Sequence, residues 1–171
     1  MFPKVRLHFS PVSSSIRRIV PLVSLLALLY LLFGSAQPAY AQTGSFIVTN
    51  TNDSGVGSLR QAISDANNSG FPTRTIIFNI PANDPGFDSS VFTIRPLTAL
   101  PAIRNGIEID GATQSAFTGD TNGSGPEIML DGSLTTSGSG IYISGDNNRI
   151  ANLAIGNFTN GSGINADYVL D

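Results

Sequence analysis

The chain contains no cysteine and no tryptophan, and it has a single histidine and a single lysine. Both of these, His8 and Lys4, fall before Ala41, so the rest of the chain has no Cys, Trp, His or Lys. That removes disulfide staples, Ser-His-Asp and Cys-His nucleophilic systems, lysine Schiff bases, and His or Cys metal sites from the later part. Carboxylate, arginine, tyrosine and hydroxyl groups are left for chemistry. A domain of this size without disulfides has to rest on core burial.

What is present begins with a leader. Lys4, Arg6, Arg17 and Arg18 make a basic start free of acidic residues, and an apolar run follows from Ile19 to Phe33, broken by Pro21 and Ser24. Small residues then lead to Ala39-Tyr40-Ala41, an A-x-A cleavage pattern that leaves Gln42 as the mature N-terminus. Residues 1–41 therefore read as a signal peptide, and the product as secreted, extracellular or held at the cell surface. The competing reading is a retained transmembrane anchor, since the run approaches bilayer-spanning length; Pro21 and the processing site weigh against it. Arg17-Arg18 fits a twin-arginine signal poorly.

After cleavage no membrane span is expected. Five arginines then face twelve carboxylates, a formal charge of −7 against −3 for the whole chain. Such a surface repels nucleic acid and anionic membranes, so no nucleic-acid partner is expected. An acidic polysaccharide would need a bridging cation.

Beyond the leader, residues 42–74 read as an N-terminal strand and a helix. Phe46-Ile47-Val48-Thr49 is rich in β-formers, and Asn50 to Gly57 is a turn-rich loop. Ser58 followed by Gln61 has the spacing of a capping box, and Leu59, Ala62, Ile63 and Ala66 recur at helical spacing up to Asn68-Ser69-Gly70. The spacing predicts no second helix. Residues 75–171 read as short strands separated by turns: Thr75–Ile80, Val91–Ile94, Ile107–Ile109, Ile128–Leu130, Ile141–Ile143 and Ile150–Ile155, with a Gly, Ser and Thr-rich loop from Ala112 to Pro126.

Two segments recur. Ile107-Glu108-Ile109-Asp110-Gly111 returns as Ile128-Met129-Leu130-Asp131-Gly132, 21 residues later, and Ser139-Gly140-Ile141 returns as Ser162-Gly163-Ile164, 23 residues later. Three-residue apolar strands at a spacing in the low twenties predict an all-β solenoid whose coils stack inward Ile and Leu into columns. An antiparallel sandwich also gives short strands at close spacing. No Asn-Gly or Asp-Gly pair lies between matched long strands, which favours the solenoid.

Val48-Thr49-Asn50-Thr51-Asn52-Asp53, followed by Gly57-Ser58-Leu59-Arg60-Gln61-Ala62-Ile63 and Ala66-Asn67, resembles the N-terminal module of bacterial secreted right-handed parallel β-helix proteins of the pectin-lyase-like kind. The motif in that module reads Cys-Ser-Leu-Arg-Glu-Ala; here Gly57 stands for its Cys and Gln61 for its Glu. The resemblance runs over nearly all of residues 46–165 and takes in Asp110-Gly111 and Asp131-Gly132. It implies a right-handed parallel β-helix with one short N-terminal capping helix. Residues 163–171 then begin a coil and leave it unfinished, so the chain is expected to be the incomplete front part of a longer solenoid.

The functional expectation is a non-catalytic exported surface protein, adhesin-like, contacting extracellular polysaccharide or a host or matrix surface. The alternative is the N-terminal fragment of a polysaccharide lyase or glycoside hydrolase of this fold, with catalytic coils beyond Asp171. No catalytic residue is assigned. Asp110 and Asp131 would stack one coil apart, and paired carboxylates about 5–9 Å apart suit acid–base work on a glycoside. The other reading makes each an Asp-Gly turn residue, repeated because the coil repeats.

Asp120-Thr121-Asn122-Gly123-Ser124-Gly125 carries oxygen side chains at positions 1, 3 and 5 and Gly at 6, with Asp131 at position 12, as in a calcium loop. Pro126, Glu127 and the flanking strands favour a solvated loop instead. No other cofactor is expected. Ser58, Leu59, Arg60, Gln61 and Ala62 are read as structural, with Arg60 pairing a carboxylate or carbonyls.

Overall fold

The computed structural model describes residues 42–167; the signal-peptide reading of residues 1–41 lies outside them, as do residues 168–171. Among the described residues the elements run β1 (Thr43–Val48), α1 (Leu59–Asn68), β2 (Thr73–Phe78), β3 (Phe92–Ile94), β4 (Ile107–Asp110), α2 (Ala112–Thr118), β5 (Ile128–Asp131), β6 (Ile141–Ile143), β7 (Arg149–Ala151), β8 (Ala154–Gly156) and β9 (Ile164–Ala166). A single 3₁₀ turn, Gly132–Leu134, follows β5. No helix among the described residues is long and apolar enough to cross a membrane.

The strands owe their in-and-out pattern to a period of two. Ile76 and Phe78, Phe92 and Ile94, Ile107 and Ile109, and Ile128 and Leu130 are buried, while Ile77, Thr93, Glu108 and Met129 between them keep some exposure. Together with residues of α1, the inward set makes one apolar core.

Three sheets result, ordered β1-β2-β4-β7, β3-β5-β8 and β6-β9, and every pairing between these strands is parallel. That excludes the antiparallel sandwich. From β4 onward the chain visits the first, second and third sheets and then repeats that order through β7, β8 and β9. Ile103 adds a one-residue bridge to Ile143 in front of the third sheet.

The two sequence repeats have different origins. Ile141 pairs with Ile164 in the third sheet, so the 23-residue repeat is one round of the chain. The 21-residue repeat is not a round: β4 lies in the first sheet and β5 in the second. The strand that follows β4 in its own sheet is β7, where Glu108 faces Arg149. The cause is the connection. Residues 111–127 carry the chain from β4 to β5, whereas residues 152–153 suffice from β7 to β8.

Part of that long connection is α2, a helix the sequence does not announce. Tertiary contacts hold it. The Thr113 hydroxyl donates to the Asp110 carbonyl at 2.8 Å and accepts from Phe78 N–H at 2.8 Å. Gln114, wholly buried, accepts from Ile80 N–H and donates to Ile80 C=O, both at 2.9 Å. The side chains of α2 thus satisfy backbone groups at the end of β2 that a strand would otherwise take.

Helix α1 packs against β1 and β2 and buries Leu59, Ala62, Ile63 and Ala66, the expected apolar stripe. Ser58 is its N-cap, accepting from Gln61 N–H at 3.2 Å. The capping box is only half made, because the Gln61 amide donates to Asp65 at 2.7 Å instead of reaching back to the Ser58 N–H. Gly57, with φ +81°, is tightly placed: an added Cβ would collide with the Thr49 hydroxyl, so a side chain is excluded both sterically and conformationally.

Candidate functional site

Three clusters contain the residues singled out by sequence. The first surrounds Arg60. Its guanidinium donates to the Asp53 carboxylate at 2.7 Å, the Asp53 carbonyl at 3.1 Å, and the Ala99 and Thr98 carbonyls at 2.7 and 2.9 Å. The Asp53 carboxylate also accepts from Leu97 N–H at 2.9 Å. Partial burial pushes the Asp53 carboxyl up, but the hydrogen bonds from Arg60 and Leu97 and the Arg60 charge outweigh it and hold the group below the usual carboxylate value. Arg60 is a clamp between the loop before α1 and the segment after β3, with its donors used on protein acceptors. The expected structural role for Arg60, through carbonyls and a carboxylate, matches this geometry.

The second cluster comprises the corners after β4 and β5. Asp110 accepts from Ala112 N–H at 3.1 Å and from the Asn152 amide at 2.9 Å. Asp131 repeats the arrangement, accepting from Ser133 N–H at 3.0 Å and the Asn157 amide at 2.8 Å, with Arg95 bonded to its other oxygen at 2.9 Å. Each Asp thus closes an Asx-type turn two residues on. Asn152 and Asn157 each sit at a positive φ, 56° and 62°, one strand further along the same sheet. Gly111 lies so close to the Asn152 carbonyl that a Cβ would run into it, and Gly132 lies against the Phe158 ring.

The two carboxylates do not stack on each other, because they end strands of different sheets; the stacking expected for them is corrected on that ground. Partial burial pushes the Asp131 carboxyl up, yet the hydrogen bonds from Asn157, Ser133 and Arg95 prevail and leave it below the ordinary value. Held as acceptors by neighbouring amides, both residues occupy turn positions.

The third cluster is a cleft of about 440 Å³ beside α2 and the loop that follows it, lined by Ser115, Asp120, Asn122, Glu127 and Asn152 among others. The loop is self-braced: Asn122 donates through its amide to the Pro126 carbonyl at 2.9 Å, Gly125 N–H donates to the Asn122 carbonyl at 3.0 Å, and the Thr121 hydroxyl ties the loop to the Ser90 carbonyl at 2.7 Å. Of the four residues expected around a calcium ion, Asp120 and Asn122 share this lining, while Ser124 and Asp131 do not. Among the described residues no three acidic or metal-binding side chains converge.

Glu127, which the sequence counted only as a residue unlike a calcium loop's, lines the same cleft. It precedes β5, and its carbonyl accepts from Phe92 N–H at 2.7 Å, which fixes its backbone in the second sheet. Strand alternation points its side chain away from the core, on the side of Met129 and opposite Ile128. The overlying loop nevertheless leaves it only 6 % exposed. The only cue available was an acidic residue enclosed between Pro126 and an apolar strand. Comparison with family models, with curated proteins and with solved structures found no match.

Proposed function

We propose that the chain is an exported, non-catalytic surface protein whose described part is the capped beginning of a right-handed parallel β-helix of the pectin-lyase-like kind. Its flank is the contact surface for an extracellular polysaccharide or a host or matrix surface. The observation that carries this reading is the repeated passage through three sheets in fixed order with parallel register. A chain that returns to each sheet one strand further on climbs like a solenoid, and such folds offer long, regular faces rather than deep pockets. Helix α1, packed on β1 and β2, suits the role of a cap that shields the first strands from edge pairing.

The commitment of Asp110 and Asp131 to corner hydrogen bonds supports the non-catalytic side of the reading. The acidic surface favours uncharged glycans, or acidic ones bridged by cations. The test is co-sedimentation of the secreted protein with insoluble polysaccharides and matrix preparations. Reducing-end and unsaturated-product assays are run on the same samples. Retention without turnover is expected. Turnover would overturn the non-catalytic reading, and failure to be retained on every preparation would overturn the contact reading.

A further inference from the structure

The first strand of each sheet has an outer edge, and the chain treats the three edges differently. In the second sheet the outward Thr93 N–H of β3 donates to the Gly86 carbonyl at 2.9 Å. In front of the third sheet, Asn67 of α1 spans the Ile103 rung: its amide donates to the Ala102 carbonyl at 2.8 Å and accepts from Arg104 N–H at 3.1 Å. The first sheet begins with β1, whose Val48 carbonyl accepts from Asn79 N–H, just past β2, at 2.8 Å. Backbone groups alternate sides along a strand. Gly44, Phe46 and Val48 therefore bond to β2, while Ser45 and Ile47 direct their N–H and C=O away from it. The outward series continues to Thr49, whose N–H is taken by the Gly57 carbonyl at 2.8 Å. Among the described residues no backbone group takes those of Ser45 and Ile47.

That open stretch lines a groove of about 540 Å³, with Ser45, Ile47 and Thr49 from the strand side, Val56 from the loop, and Gln61 and Asp65 from α1. Ile47 is 49 % exposed and Val56 93 %, so apolar surface adjoins the free backbone groups. The strand also lacks the devices that blunt an edge, since Thr43–Val48 contains no proline and no charged side chain. We propose that this groove takes an extended, basic polypeptide segment of another protein as an added strand on the outer edge of β1. The segment's main chain completes a ladder with Ser45 and Ile47, and its apolar side chains lie on Ile47 and Val56. Charge decides the kind of segment. Asp65 is the one ionisable group on the lining, and the chain after Ala41 has five arginines against twelve carboxylates. A lysine or arginine in the segment is attracted to that wall, whereas a second copy of this chain would set two acidic surfaces against each other. Helix α1 packs on β1 through its buried stripe and leaves this part of the edge to a partner. The site goes beyond the polysaccharide or matrix contact proposed above and does not depend on it.

The test titrates the secreted protein, followed by NMR, with an N-acetylated, C-amidated heptapeptide that alternates valine with lysine and threonine. A second peptide has glutamate in place of lysine, and a third is N-methylated throughout, so that its backbone cannot donate. Saturable binding of the lysine peptide is expected, with the Ser45 and Ile47 amides gaining protection from hydrogen exchange. N-methylation should weaken binding at least about tenfold, because the ladder loses its donors on one side. Ile47→Pro removes an outward N–H without touching the bonds to β2, and should weaken binding about tenfold. Asp65→Asn leaves the backbone intact and serves where Ile47→Pro fails to fold; it should weaken binding about two- to fivefold and reduce its dependence on salt. Leu134→Thr, at an exposed apolar residue of the turn after β5, should bind as the parent does. Absence of saturable binding, or equal binding of the N-methylated or the glutamate peptide, would overturn the proposal. So would protection of Ser45 and Ile47 that rises with protein concentration in the absence of peptide, because a second copy would then occupy the edge.

Discussion

The two ends of the strand order differ in a way that residue type does not explain. Ile76 and Ile109, in β2 and β4, are fully buried, and each strand has a partner on both sides. Ile150 in β7, last in that sheet, and Ile155 in β8, last in the second sheet, are only partly buried, and Ile164 of β9 in the third sheet is 47 % exposed. The side chains are the same, although the strands shorten from six and four residues in β2 and β4 to three in β7, β8 and β9. What also differs is whether a further strand, or helix α1, lies against them. Burial here belongs to position in the stack, and the β1 end, where Leu59, Ala62, Ile63 and Ala66 of α1 add apolar cover, is where the core is most complete.

The strongest way to break this comparison is to remove a side chain from each end. Phe78→Ala should lower unfolding stability by about 3–5 kcal/mol, and Ile164→Ala by less than about 0.5 kcal/mol, read as shifts of the urea midpoint at constant slope. Similar losses at both positions would mean that the two ends are equally packed. Next in size is Gln114→Leu. It keeps the volume but strands the Ile80 N–H and C=O, for a loss of about 2–3 kcal/mol. Hydrogen exchange should show Ile80 losing protection while Ile164 is unchanged.

Arg60→Met tests the clamp at the α1 end and is expected to cost about 2 kcal/mol, because carbonyl acceptors and Asp53 lose their donors. Arg60→Lys should restore only part of this, since an ammonium cannot reproduce the planar fork.

The smallest effect is the response to acid. Asp53 and Asp131 have folded-state values held below that of an ordinary carboxylate, so each stabilises the fold fully above the unfolded value of about 3.9. That contribution fades as pH falls from there through the lowered folded values. Asp131→Asn should flatten this part of the pH–stability curve without moving the neutral plateau as far as Phe78→Ala does. An unchanged acid slope in Asp131→Asn would show that the Arg95 and Asn157 contacts do not bias its ionisation.

The strands and α1 were legible because they rest on local signals. Alternating Ile, Phe and Val dictate the strands, and Ser58 with Leu59, Ala62, Ile63 and Ala66 dictates the helix. Helix α2 was not legible, since Ala112-Thr113-Gln114-Ser115-Ala116-Phe117-Thr118 is only seven residues long between Gly111 and Gly119, and its hold on Phe78 and Ile80 is a long-range contact. The repeat was half legible. The Ile141–Ile164 spacing matches a real neighbour relation, whereas Ile107–Ile128 owes its interval to the inserted connection. The Asp-Gly corners were foreseen as turns, but the Asn side chains that complete them could be placed only once the register was known. The burial of Glu127 was not legible because outward alternation normally means solvent, whereas here the residue lies in the cleft beside α2.

The parallel register also has a mechanical side. Within each sheet the hydrogen bonds between successive strands run across the strands, in the direction in which β1, β2, β4 and β7 succeed one another. A load applied in that direction bears on one interface at a time and peels the last strands first. A load along the strands is shared by a whole ladder in shear. Force on the β9 end would therefore yield in steps, starting with three-residue strands, and reach the α1 end last. The stack would behave as a graded shock absorber rather than a single brittle bond.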